Sequence, residues 1–302
     1  MKKITTALML SSLGLAAASA FAAGEPVIGL ITKTETNPFF VKMKEGAAAE
    51  AKKLGAKLLT AAGKSDGDTA GQITALENMA AAGAKTILIT ASGDAITPTV
   101  KKLQAKGVQV IALDSPFDGA DALFATDNYQ AGILIGQYAK AAMAGKPARI
   151  AMLDLLPGHP VGAQRHNGFM KGFGLPAADA KSNELSRDPA VVCMADSFGD
   201  RAKAQTAMEN CLQKNPDINL VYTINEPAAA GAFNALKKSG KEKGVTIVSV
   251  DGGCQGIKDT ASGIITATSQ HEPLKMAALG VEAGVGYANG GKKAPGDTAA
   301  GE

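Results

Sequence analysis

Almost from end to end, the chain alternates short, uniformly apolar runs with longer stretches of helical periodicity. Val27–Thr32 leads to a helix near Phe39–Leu54. Lys57–Ala61 leads to one near Thr69–Ala82, and Lys85–Thr90 to Ile96–Lys106, with Val108–Leu113 following. The connections are short and carry Gly55, Gly83, Pro98 and Gly107. Strands apolar on both faces, set between amphipathic helices, need cover on both sides, which is the condition of a parallel sheet. The rhythm starts again after Asp127, with a helix near Tyr129–Ala144, a strand at Ala148–Leu153 and a helix near Val161–Phe173. Further segments lie at Asp200–Lys214, Leu220–Thr223, Pro227–Ser239, Val245–Val250, Gln255–Ser262 and Ile264–Thr268, before a last helix near Pro273–Ala288. The pattern predicts an α/β fold of two doubly wound parallel-sheet lobes. No long Pro/Ser/Gly linker separates the halves, so the lobes should be joined by short hinges. After Gly290-Gly291-Lys292-Lys293 only small and polar residues remain, so 291–302 reads as a disordered tail without a closing strand.

The first residues have the composition of a secretory signal peptide. Lys2 and Lys3 form a charged start, Ile4–Ala18 is uncharged and mostly apolar, and Ala18, Ala20, Ala22 and Ala23 offer cleavage frames before Gly24. Segment 1–23 is therefore expected to be removed near Ala20–Ala23, leaving a freely diffusing periplasmic protein. No Cys near the cleavage site suggests a lipid anchor. The formal charge is only +3, and acidic and basic residues are interspersed, which does not suit a nucleic-acid partner. Three cysteines remain, at 193, 211 and 254. In an exported chain they can be oxidised. Cys193 and Cys211 enclose a short loop-plus-helix segment and are the preferred pair, which leaves Cys254 either free and buried or lacking a partner. There is no G-x-G-x-x-G after the first strand, no P-loop, no H-E-x-x-H and no G-x-S-x-G. An enzyme, a cofactor or a metal finds no motif here.

Polar residues gather where apolar strands end, the edge at which open α/β sheets bind small ligands. Asn37 and Pro38 break the first strand and place Phe39 and Phe40 on a strand-to-helix loop. The pair fits either a hydrophobic staple at a helix start or a platform for a ligand with an apolar face, such as a sugar ring. Asp114 and Asp251 end two strands. Asn225 and Gln270 follow two others, Arg165 lies on the helix after Ala148–Leu153, and Phe198 precedes the helix at Asp200. Each has a plainer reading: the two aspartates and Asn225 as helix caps, Arg165 as a solvated helix residue. Together they make a set of hydroxyl acceptors and donors suited to a neutral polyol.

With these residues in place, the chain resembles periplasmic sugar-binding proteins of ABC importers, of the ribose-binding type, from about Glu25 to Asn289. The resemblance rests on Asn37-Pro38-Phe39-Phe40, Leu113-Asp114, Arg165 in Arg165-His166-Asn167-Gly168-Phe169, Asn225-Glu226, Val250-Asp251-Gly252 and Gln270. It implies a ligand set of Lys33, Asn37, Phe39, Phe40 and Asp114 from one lobe, and Arg165, Phe198, Asn225, Asp251 and Gln270 from the other. It also implies a first lobe of 24–126 plus 271–290 and a second of 127–270. The chain would be a monomer that closes on a monosaccharide and delivers it to an inner-membrane ABC permease, or presents it to a chemoreceptor. Ser115-Pro116-Phe117 stands where ribose-binding relatives carry an Arg after the Asp, which implies a roomier pocket with Phe117 as a further aromatic wall. The wording around Leu156–Pro160 and Cys193–Asp200 is nearest the fructose-binding branch, so fructose is the expected ligand. His159, close to that pocket, reads as a surface residue in preference to a contact.

Overall fold

The computed structural model describes residues 24–294 and 296–299. The signal segment expected at 1–23 lies outside the described residues. In the first half, strands β1 (Val27–Thr32), β2 (Lys57–Ala62), β3 (Thr86–Ile89), β4 (Gln109–Leu113) and β5 (Ala122–Ala125) alternate with helices α1 (Pro38–Lys53), α2 (Thr69–Ala81) and α3 (Thr97–Gln104). In the second, β6 (Ile150–Asp154), β7 (Val191–Asp196), β8 (Leu220–Thr223), β9 (Thr246–Asp251) and β10 (Ala267–Gln270) alternate with α4 (Asn128–Met143), α5 (Pro160–Phe173), α6 (Arg201–Lys214), α7 (Glu226–Lys238) and α8 (Cys254–Ala261). Helix α9 (Pro273–Ala288) and strand β11 (Asp297–Ala299) follow.

The strands form two wholly parallel sheets, ordered β11-β5-β4-β3-β1-β2 and β10-β9-β8-β6-β7. Side-chain alternation explains why both faces are covered. Ile28, Leu30, Leu88, Ile111 and Leu113 pack with α1 and α9, whereas Ile31, Ile87, Ile89 and Val110 pack with α2 and α3. In the second sheet Ala151, Leu153 and Val221 meet α6 and α7, and Ile150, Met152, Tyr222 and Val248 meet α4 and α5. Central β3, β4 and β6 are buried along their whole length, while the edge strands β2 and β7 are only half-buried. The chain passes between sheets after β5 and again after β10.

Three features depart from the sequence reading. The tail expected to be disordered from 291 onward includes β11, whose Asp297, Thr298 and Ala299 pair in parallel with Leu123, Phe124 and Ala125. Lys293 also reaches Asp121 at 2.7 Å. Cys254 is free but exposed rather than buried. Phe117 packs against the α2–α3 side of the first sheet and builds no wall in the cleft. The expected disulfide is present: Cys193 and Cys211 tie edge strand β7 to α6, with Cα atoms 5.7 Å apart.

Helices α4 and α5 approach backbone to backbone. A Cβ on Gly168 would lie 2.2 Å from the Tyr129 carbonyl oxygen, and one on Gly132 would lie 2.4 Å from that of Arg165. Helix backbones cannot give way as a flexible side chain does, so Gly168→Ala should cost about 2–3 kcal/mol of stability. Gly286, in α9, faces open space, and Gly286→Ala should stabilise by about 0.5–1 kcal/mol through helix propensity and unfolded-state entropy. Urea midpoints of the two variants test this contrast in sign.

Candidate functional site

The carboxyl ends of the strands in both sheets face a common cleft. A small cavity there, about 30 Å³, is lined by Lys33, Asn37, Phe39, Phe40, Asp66 and Asp114 from the first half and by Leu155, Val161, Arg165, Ile224, Asn225 and Asp251 from the second. That is room for about one water. A larger occupant requires the two halves to part, and lobes joined, among the described residues, by two short crossings can hinge in that way. Eight of the ten residues expected to bind ligand meet here.

Two of them serve twice. Asn37 caps α1, its Oδ1 accepting the Phe39 N–H at 3.0 Å, and Pro38 takes the first helical position, where a missing N–H costs nothing. Asn225 caps α7 through Ala228 N–H (3.0 Å) and donates Nδ2–H to the Gly199 carbonyl (3.1 Å). Capping and cleft lining are therefore not alternatives, because a residue between a strand and a helix N-terminus stands at both. Phe39 and Phe40 contact edge to face with centroids 5.4 Å apart, and both anchor in the core under α1 while edging the cavity.

The two aspartates are not helix caps. Asp114 (φ 61°) and Asp251 (φ 139°) occupy positive-φ backbone, which is unfavourable for a residue with a Cβ. Such strain is held by surrounding structure and concentrates at functional sites. Asp114 is buried, and its Oδ1 has no hydrogen-bond partner among the described residues. Burial pushes Asp251 up to about 8, against the pull of Arg165 and with added repulsion from Glu226 and Asp114.

Arg165 fastens the second wall. Its Nε donates to Asn128 Oδ1 (2.9 Å), Nη1 to the Ile224 carbonyl (2.8 Å) and, more weakly, to Asp251 Oδ1 (3.4 Å). Nη2 lies 3.0 Å from Nδ1 and 3.1 Å from Nε2 of His271. A guanidinium only donates, so His271 must accept and be neutral. Burial, and then Arg165, hold it well below the ordinary imidazole value. The His271 ring also packs on Phe39, centroids 5.4 Å apart.

Across the cleft, Lys33 Nζ lies 2.9 Å from His159 Nε2, joining the end of β1 to the N-cap of α5. His159 is thus buried rather than on the surface. Desolvation, and then the Lys33 charge, push its pKa well down. Burial lowers Lys33 while Asp66 and Asp114 oppose the shift, and burial raises Asp66.

Two expected ligand residues are not brought in. Phe198, with φ 56°, sits under Lys203, whose Nζ is 4.0 Å from the ring centroid, in a surface groove beside β7 and α6. Gln270 is exposed and bonds Glu272, because side chains alternate along a strand and it is His271 that turns inward. Asp66, His159 and His271 were not among the expected contacts. A polar β2–α2 loop carries the first, and His271 directly follows the expected Gln270.

The comparisons agree with this architecture. The family described as periplasmic binding protein domain matches residues 28–293. The ribose import binding protein of Salmonella typhimurium is 33% identical over 93% of this chain and 91% of its own. The D-allose-binding periplasmic protein of Escherichia coli is 29% identical over 93% and 90%. Among solved structures, an ABC transporter periplasmic solute binding protein from Actinobacillus succinogenes with bound D-allose is 26% identical, with a TM-score of 0.78 over 90% of this chain and 95% of that one. This chain belongs to the periplasmic binding protein family and is a homologue of the ribose- and allose-binding proteins of ABC importers.

Proposed function

We propose that this protein captures a monosaccharide, fructose in the first instance, between its two lobes in the periplasm and delivers it to an ABC permease. The observation that carries this reading is the pair of strained aspartates, Asp114 and Asp251, at one cleft beside Phe39 and Phe40. The unpartnered Oδ1 of Asp114 is a buried acceptor awaiting a donor. Leaving such an atom unsatisfied costs about 1–3 kcal/mol, which a sugar hydroxyl relieves. The aromatic edges suit the C–H face of a ring, and Arg165 and Asn225 supply N–H groups. A ligand that touches both walls at once stabilises the closed arrangement, because only there does it make both sets of contacts. That arrangement is the one a permease would recognise.

A thermal-shift panel of fructose, ribose, allose, mannose, galactose and inositol tests the ligand, since binding to the folded form raises its melting temperature. Fructose is expected to give the largest rise; a larger rise with allose or ribose would overturn the fructose assignment and keep the sugar reading. Asp114→Ala and Asp251→Ala should each weaken binding by at least about tenfold, the equivalent of about 1.4 kcal/mol. Unchanged calorimetric affinity in both variants would remove those residues from the site.

A further inference from the structure

Glu226 opens α7 but is not among the residues lining the cavity. Both of its oxygens lie 3.2 Å from the Gly253 N–H, and Oε1 accepts the Thr268 hydroxyl at 2.8 Å. Thr268 Oγ1 in turn accepts the Gly252 N–H at 3.1 Å. The carboxylate occupies space that two glycines leave open: a Cβ on Gly256 would fall 1.8 Å from Oε1, and one on Gly253 would fall 2.9 Å from Oε2. The Gly253 N–H can only donate, and the Thr268 hydroxyl, already accepting from Gly252, donates to Oε1. Burial raises the Glu226 pKa, while the Thr268 hydroxyl and the Gly253 and Gly252 N–H groups at the start of α8 pull it back toward the charged form.

Gly252 and Gly253 directly follow Asp251. We propose that Glu226 is a positioning residue for the sugar site, locking Gly252–Gly253 so that Asp251 keeps its strained backbone beside Arg165, and setting by like-charge repulsion how readily Asp251 ionises. The inference rests on the cleft being the sugar site proposed above. A strained φ persists only where the surroundings over-determine it. Here the over-determination is the Glu226–Thr268–Gly252 chain on one side and Arg165 on the other. Asp251 is faced by Arg165 from α5, Asp114 from the end of β4, Tyr222 from β8, His271 after β10 and Glu226 from α7, while Glu226 itself also feels Asp259 of α8.

The test is calorimetric titration of the full chain with D-fructose and D-allose across neutral pH. An ionised Asp251 accepts more hydroxyl protons than its acid form, so affinity should climb with pH as Asp251 ionises. Glu226→Gln should weaken binding about tenfold and move that climb to lower pH, since a nearby negative charge is gone. Thr268→Val, which loosens the same loop without changing charge, should weaken binding and leave the midpoint in place. Glu226→Asp should do likewise, and carries the test if the Gln variant does not fold. Wild-type affinity and midpoint in Glu226→Gln or, should that variant not fold, in Glu226→Asp, alongside weakened binding in Asp251→Asn, would overturn the positioning role alone. Unchanged affinity in Asp251→Asn would overturn the sugar-site reading and the positioning role with it.

Discussion

Arg165→Ala should abolish measurable sugar binding at micromolar protein, a loss of at least about 100-fold, or roughly 3 kcal/mol. The size follows from what the guanidinium holds. One side chain donates to Asn128, the Ile224 carbonyl and Asp251 and contacts His271. Truncation leaves acceptors from α4, from the β8–α7 turn and from the end of β9 buried without their donor. Removing one partner of a buried ion pair typically costs 3–5 kcal/mol. The stability loss here should be less, about 2–3 kcal/mol, because Asp251 already lies near neutrality through burial and can take up a proton. Arg165→Lys should not restore affinity, since a point charge cannot serve four acceptors in fixed directions. Calorimetry gives the binding loss and urea denaturation at neutral pH gives the stability loss. Retained binding in Arg165→Ala would show that the cleft recognises its ligand without this residue.

What the sequence made legible follows from where its signals are strong. β1, β4, β8 and β9 were readable because apolar runs end close to a polar residue, and that residue lines the cleft: Lys33, Asp114, Asn225, Asp251. β5 and β7 were not readable. β5 has four residues between Gly- and Asp-rich turns, and β7 is a half-buried edge carrying Cys, Met and Asp rather than a uniform apolar run. With β5 unseen, nothing indicated a strand for 297–299 to pair with. β10 was read too early. The expected Ile264–Thr268 begins three residues and ends two residues before the observed Ala267–Gln270. Gln270 was expected through the resemblance, but neighbours along a strand face opposite sides, so Gln270 points to solvent and the adjacent His271 is buried. Phe198 lies outside the cavity lining for a different reason, since a left-handed backbone followed by Gly199 turns the chain, and no local pattern reports the direction.

The chain has three histidines, and all three are buried, at 5%, 0% and 4% exposure for His159, His166 and His271. Two of them make closure sensitive to acid. His159 accepts from Lys33 and His271 from Arg165, so protonating either sets one cation against another. Both have pKa values depressed in the closed fold by burial first and the neighbouring cation second. Their contribution is therefore complete above the ordinary histidine value near 6.5 and is lost as pH falls below it, at about 1.4 kcal/mol per histidine per unit. Sugar affinity should drop by about 30-fold between pH 6.5 and 5.5 if both must stay neutral in the closed form, about fivefold from each histidine, since titration is only half complete at the ordinary value.

His166 runs the other way. Its Nδ1 lies 2.9 Å from Asp154 Oδ1 and its Nε2 lies 2.9 Å from the Ser186 carbonyl, two acceptors that require a doubly protonated ring. Burial works against that charge, but Asp154 and the two hydrogen bonds outweigh it and raise the pKa. Its stabilising effect is full below about 6.5 and fades as pH rises through the raised value. The segment it clamps, around Ser186, is also held by Asn167, and none of its residues is among those lining the cavity. Acid should thus open the cleft while the second lobe stays intact, and mild alkali should loosen that lobe's 178–186 segment first. Affinity by calorimetry and amide exchange of Glu184–Arg187, followed over the same pH series, separate the two effects. Affinity that stays flat below pH 6.5 in the native chain would show that neither histidine gates closure, whereas His159→Gln, which keeps an acceptor but cannot take up a proton, should flatten about half of the acid loss.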